Sequence, residues 1–175
     1  MLKCDIIIGI DPDIDKSGIA VLDTRARRMN VQALAFPLLW DKIREVHVNT
    51  QQTGRTLCVA VEAGWLNAGN WHFRYTDSKA KVAALGRSVG MNHQTGIILL
   101  ELCAHAGIPC CAVRPLVKHW QGRDGKITHA EMTQFIGGLP KRTNQEERDA
   151  ALLAWVQAGF AIRIAPKIRR NITKI

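Results

Sequence analysis

The chain is short of acid. Fifteen aspartates and glutamates face 24 lysines and arginines, for a net charge of +9 and a pI near 9.7. An excess of that size favours a polyanionic partner. No basic amphipathic stretch points to a membrane surface, so nucleic acid comes first, with a basic surface kept for solubility as the plain alternative. Paired cysteines are missing too. Cys4, Cys58, Cys103, Cys110 and Cys111 contain no CxxC, are odd in number and sit mostly inside apolar runs. That argues against a zinc site and for a reducing compartment. Long apolar runs are absent: the longest late one, Ala150 to Ile162, contains Gln157 and is too short to span a bilayer. Strand pattern begins almost at the N-terminus, so no signal peptide is expected, and no repeat or low-complexity tract is seen. A chain of 175 residues, 47% hydrophobic and 22% charged, is expected to form one soluble, cytoplasmic domain with a sizeable core.

What is present is organised around Ile6 to Gly18, IIIGIDPDIDKSG. A short apolar run ends in a carboxylate, Asp11, and Pro12 stops the strand behind it. Gly18 then opens IAVLD, a second strand. Strand patterns at Cys4–Asp11, Ser17–Asp23 and Asn30–Phe36 predict an antiparallel meander. Pro37 opens a helix with Leu38, Leu39, Ile43 and Val46 on one face, dissolving into the polar stretch Asn49–Arg55. Thr56–Glu62 repeats the first design: a wholly apolar strand running to an acid, Glu62. Such strands suggest a sheet covered on both faces, and side by side they place Asp11 and Glu62 at one sheet end.

Gly64–Asp77 has no clean period. A helical region follows from Ser78 to Ala106, with an interruption expected near Gly90 or Gly96. Its run Ile97–Leu102 is apolar nearly all round, which suggests burial against the sheet or a second subunit. Cys110–Val113 reads as a last strand, Arg114–Trp120 as a short helix and Gln121–Lys126 as a polar, glycine-bearing loop. Thr128 and Glu131 form a capping box for a helix to about Ile136. The last helix runs from Thr143 or Asn144 to Gly159 or Phe160.

On that helix Asp149, Leu152, Leu153, Val156 and Phe160 share one stripe, which puts Asp149 toward the core and Arg148 away from it. Glu146 shares the face of Asp149. Each acid has a plain alternative: Glu146 and Asp149 suit a helix N-terminus for the macrodipole, Asp11 suits a turn and Glu62 a cap. Four acids at strand ends and on a core-facing stripe are nevertheless hard to explain by packing. Clustered carboxylates repel and need a cation; hard oxygen donors suit Mg²⁺ or Mn²⁺. Two such ions about 4 Å apart can clamp phosphodiester hydrolysis, which in a basic chain suggests a nuclease.

Three motifs then resemble the RuvC-type Holliday junction resolvases of the RNase H-like superfamily. They are Gly9–Pro12 with Gly18, Glu62 closing the fourth strand, and Glu146–Ala150 opening the last helix, with support from Leu85–Gly86 and Gly96–Pro109. The resemblance implies an α/β fold with a mixed five-stranded sheet of order 32145 flanked by helices. It implies a nuclease domain over residues 1–162 with a basic tail, 163–175, and a homodimer that nicks four-way DNA junctions with two metal ions per site. It makes Asp11, Glu62, Glu146 and Asp149 metal ligands, with Asp11 bridging both ions, and it places basic-region lysines near Lys118 and Lys126. It also matches Trp65 to an aromatic that inserts into the junction.

By residue chemistry, Trp65 in an irregular, exposed loop suits stacking on splayed bases. Trp71, Phe73, Arg74 and Tyr75 extend that character or pin the loop. Lys118, Arg123 and Lys126 suit phosphate contacts or plain solvation. His119 and His129 are candidates for proton transfer, with an ordinary surface role as the alternative. Two departures from the resolvase pattern stand out: Asp13, where glycine usually follows the proline, with Asp15 close behind, and Met91–Gln94, which reads as an insertion. Two other functions remain open. One is an ATPase or sugar kinase sharing the first hairpin, for which the chain is too short; the other is a DNA-binding scaffold on a nuclease fold. Within the nuclease class, another branched or hybrid substrate is the alternative to the four-way junction.

Overall fold

A computed structural model of the chain describes residues 1–67 and 76–164. Five strands, β1 (Ile6–Asp11), β2 (Ser17–Asp23), β3 (Arg28–Leu34), β4 (Leu57–Glu62) and β5 (Cys110–Val113), form one sheet in the order β3-β2-β1-β4-β5. β1 to β3 are an antiparallel meander, while β4 and β5 add in parallel. The expected 32145 sheet is therefore present, with helices α1 (Phe36–Gln52), α2 (Lys79–His105), α3 (His129–Met132) and α4 (Gln145–Gln157) around it.

The period of two along β1 sorts its isoleucines between two cores. Ile8 and Ile10 join Leu39 and Ile43 of α1 and Leu99 and Cys103 of α2. Ile7 joins the opposite layer with Met132 of α3 and Ala150, Ala151 and Ala154 of α4. Gly9 lies between helix and sheet on this second face. A Cβ there would stand 2.3 Å from the Ala150 carbonyl oxygen, and one at Gly18 would stand 2.0 Å from that of Glu146. Both glycines are needed because the α4 backbone rests directly on the strands.

Several expectations need correction. The α1 helix continues through the polar residues to Gln52, and Leu38 points outward at 59% exposure. The α2 helix is unbroken through Gly90 and Gly96, from its Ser78 cap to Gly107. At Gly96 the missing side chain admits Trp65 and Pro12, and that packing offsets the intrinsic helix cost of glycine. Arg114–Trp120 is not helical; Pro115 disfavours the α conformation at Arg114. The helix opened by the Thr128–Glu131 capping box stops at Met132. Within Ile97–Leu102, Leu99 is fully buried against the sheet, whereas Ile98 is on the outside. Among the described residues no helix is long and apolar enough to cross a membrane, and all five cysteines are free thiols.

Candidate active site

Asp11 and Glu62 are the last residues of neighbouring parallel strands. The register pairs Ile10 with Val61, so both carboxylates leave the sheet at the same end. They line a cleft of about 150 Å³ together with Pro12, Trp65, Asn92 and His93. The third acid, Asp149, comes from α4 and is buried, at 6% exposure. It sits there because Gly9 and Gly18 let the helix lie flat on β1 and β2.

Burial pushes the Asp11 carboxyl well above the usual carboxylate range, and the charges of Glu62 and Asp149 push it the same way; Lys118 and Lys126 pull it back. Glu62 is raised too, first by burial, with Lys118 and Lys126 opposing and Asp149 reinforcing. Burial would lower Lys118, but Asp149, Glu62 and Asp11 outweigh it and hold the ammonium above its ordinary value. The Nζ atoms of Lys118 and Lys126 stand 3.2 and 3.5 Å from Asp149 Oδ2. Three acids thus share two ammonium groups, and that surplus negative charge adds to burial, the larger cause, in keeping Asp11 from ionising.

The lysines come from an ordered loop. Trp120 N donates to Gly125 O and Gly122 N to Lys126 O, while Asp124 and Gly125 take positive φ. The buried Glu131 carboxylate accepts from Gln121 N, Thr128 N and the Thr128 hydroxyl. The capping box therefore also ties down the segment that presents Lys118 and Lys126. Arg123 lies apart, 95% exposed and near Asp124.

Glu146 is not drawn into the cluster in the same way. Its side chain makes no hydrogen bond or ion pair among the described residues, and only its backbone meets Gly18. Gln145 takes a part that the sequence did not suggest: Nε2 donates to Asp149 Oδ1 at 2.8 Å. Arg148, expected to point away, is half-buried and donates to Ile127 O and to Gln145 Oε1. Asn92 is the other residue missed. Its Nδ2 donates to Asp13 Oδ2, and its Oδ1 accepts from Ile14 N, so the two departures from the resolvase pattern are partners. Trp65 is not a free loop aromatic: it is half-buried in the short 3₁₀ turn Gly64–Leu66, edge-on to His93. His119 stacks on Trp120, and His129 bonds the Thr143 hydroxyl. Arg74, with Trp71, Phe73 and Tyr75, lies outside the described residues.

RuvC from T. thermophilus, solved in complex with a Holliday junction substrate, superimposes with a TM-score of 0.52 at 17% identity, covering 87% of this chain and 90% of that one. The fold is that of the RuvC-type resolvases. Fowlpox virus resolvase, solved with its substrate Holliday junction DNA, superimposes with a TM-score of 0.40 at 12% identity, covering 88% of this chain and 97% of that one. No protein-family model matches the sequence, and neither does any curated protein. The likeness to RuvC thus resides in the three-dimensional arrangement.

Proposed function

We propose that this RuvC-like chain is a metal-dependent, structure-specific endonuclease, with four-way DNA junctions as its leading substrate. The observation that carries the proposal is the convergence of Asp11, Glu62 and Asp149 at one sheet end, with more negative charge than Lys118 and Lys126 neutralise. The donor set fits Mg²⁺ or Mn²⁺ in chemistry, being all hard oxygen and short of positive charge. Asp11, Glu62, Asp149 and, one turn before it, Glu146 would hold the ions. When bound, two such ions supply an activated water and stabilise the leaving oxygen of phosphodiester hydrolysis. The chain's own part is to hold Asp149 by Gln145, to close one wall of the cleft with Trp65 and to offer Lys118 and Lys126 to the phosphate backbone. Arg123 and Arg74 are further candidates for backbone contact. In this reading residues 1–162 are the nuclease domain, 163–175 a basic tail, and the active species a homodimer.

Cleavage of a synthetic four-way junction with Mg²⁺ or Mn²⁺, beside duplex, flap and RNA–DNA hybrid controls, tests this directly. Paired nicks confined to the junction, lost in Asp11→Asn while junction binding persists, are the expected result; undiminished cutting by Asp11→Asn would refute it. One observation favours a second reading, a non-catalytic DNA-binding protein: among the described residues no three His, Cys, Asp or Glu side chains stand close enough to form a ready metal shell. Tight, salt-dependent junction binding with no metal-dependent product would select that reading.

A further inference from the structure

A second cavity lies at the other end of α4. It measures about 520 Å³, within the usual range of small-ligand pockets of about 300–1,000 Å³. Its lining includes Arg27, Phe135, Trp155, Phe160 and Arg163, and contains no acid among the described residues. From Asp149 to Gly159 the chain rises about 15 Å at 1.5 Å per residue, so this cavity is separate from the cleft of Asp11 and Glu62.

Its walls are aromatic and braced. The Trp155 and Phe160 rings meet edge to face at 4.8 Å, and Phe135 meets Trp155 at 5.7 Å. The indole nitrogen of Trp155 donates to Ala161 O at 3.1 Å. Above them, the guanidinium carbon of Arg27 lies 4.7 Å from the centre of the Phe160 ring. Neither Arg27 nor Arg163 is in an ion pair among the described residues, and both are exposed.

Arg27 occupies this position at a conformational cost. Its φ is +51°, in the left-handed region where glycine or asparagine is the ordinary occupant. It ends the turn between β2 and β3, where Asp23 Oδ1 already accepts from Arg25 N and Ala26 N. The turn therefore closes without any contribution from the Arg27 side chain, and glycine would serve the backbone better. What the arginine adds is a cation over an aromatic wall, in a cavity that a second cation, Arg163, also lines.

Resting on the reading that this chain engages DNA, we propose that the cavity is a second nucleic-acid site, taking one nucleotide of a single strand. A phosphate is held between Arg27 and Arg163, and the base lies against the aromatic wall. Cation and aromatic side by side are the pairing by which single strands are held without reading sequence. The site would grip a strand at a distance from the acids and so favour substrates that reach both ends of α4.

The test is binding of labelled single-stranded DNA and of a four-way junction by fluorescence anisotropy, in EDTA, across a salt series. Working in EDTA makes the outcome independent of whether the acids cut DNA. Arg27→Gly and Arg163→Gln are each expected to weaken single-strand binding about three- to tenfold. Each should also reduce the slope of log K against log [salt] by about 0.7, the value for one lost phosphate contact on a single strand. Arg27→Gly relieves the left-handed residue, so its melting temperature should not fall; Arg163→Gln provides a second variant should the turn rearrange. Wild-type affinity and slope in both folded variants would overturn the proposal while leaving the nuclease reading intact. Binding of free dAMP that both variants abolish but that displaces no bound strand would overturn it as well, by assigning the cavity to mononucleotides. A wild-type chain that binds no DNA at all would overturn both readings.

Discussion

Gln145 and Asp149 are one helical turn apart, and the amide of the first fixes the carboxylate of the second: Nε2 donates to Oδ1 at 2.8 Å while Oδ2 faces Lys118 and Lys126. Arg148 holds the Gln145 amide oxygen from the other side. Gln145→Ala should leave the helix intact, since the cap is Asn144 with Glu147. Partners of this kind are worth about 10–100-fold in metal affinity or activity. The expected outcome is a loss of cleavage of that order, partly restored by excess Mn²⁺, with junction binding in EDTA unchanged.

Asp11→Asn should stabilise the fold. The native carboxyl is held above its ordinary value, so the folded state binds its proton more tightly than the unfolded chain does, and stability falls as pH rises past the unfolded pKa. Asparagine removes that penalty and leaves Glu62 and Asp149 matched to Lys118 and Lys126. A gain of about 1–2 kcal/mol is typical where a strained site is relaxed. For a domain of this size that corresponds to a rise in Tm of about 3–6 °C, measured at pH 8 in chelator. The gain should vanish below about pH 4, where both states carry the proton. An equal gain at all pH values would mean that charge is not its cause.

Asp23 has the opposite sign. Burial would raise its carboxyl, but hydrogen bonds from Ala26 N and Arg25 N and the Arg55 guanidinium outweigh it and hold it below the ordinary value. Its contribution is present above the unfolded pKa and lost as pH falls through the folded one. Asp23→Asn should therefore lower Tm at pH 7, with a deficit that shrinks in acid. Thermal melts at neutral and at acid pH would show it.

The glycines separate into two kinds that one experiment distinguishes. Gly9→Ala drives a Cβ into the α4 backbone and should cost about 1–3 kcal/mol or more, as overpacking does. Gly86, within α2, has nothing within 4 Å of a built Cβ, so Gly86→Ala should stabilise by about 0.5–1 kcal/mol. Chemical denaturation of the two variants gives both numbers.

Glu131→Ala should disturb the lysine loop more than its own short helix. The substitution strips acceptors from Gln121 N and from Thr128 N and its hydroxyl. Hydrogen bonds to a buried charge are worth about 1.5–3 kcal/mol each before relaxation. Faster hydrogen exchange over residues 118–128 and a weaker salt dependence of DNA binding are the expected signatures.

The sheet was legible because its signals are local. Apolar runs of strand length, the Pro12 stop and the Gly18 turn define β1 and β2 without reference to anything distant, and the resemblance of Gly9–Pro12 to the resolvase pattern supplied the strand order. The interruption expected near Gly90 or Gly96 and the helix expected at Arg114–Trp120 were wrong because propensity was read alone: Trp65 packs on Gly96 within an unbroken α2, and Pro115 restrains Arg114. The chain by itself determined that Asp11 and Glu62 end buried strands and that Asp149 faces the core, since periods of 2 and 3.6 residues suffice for that. Only the tertiary structure decided that Asp149, rather than Glu146, pairs with Lys118 and Lys126, that Gln145 orients it and that Asn92 holds Asp13. Those contacts join segments up to 79 residues apart; the pairing of Asp149 with the two lysines exists because α4 can lie flat against Gly9 and Gly18, a close approach that no local pattern encodes.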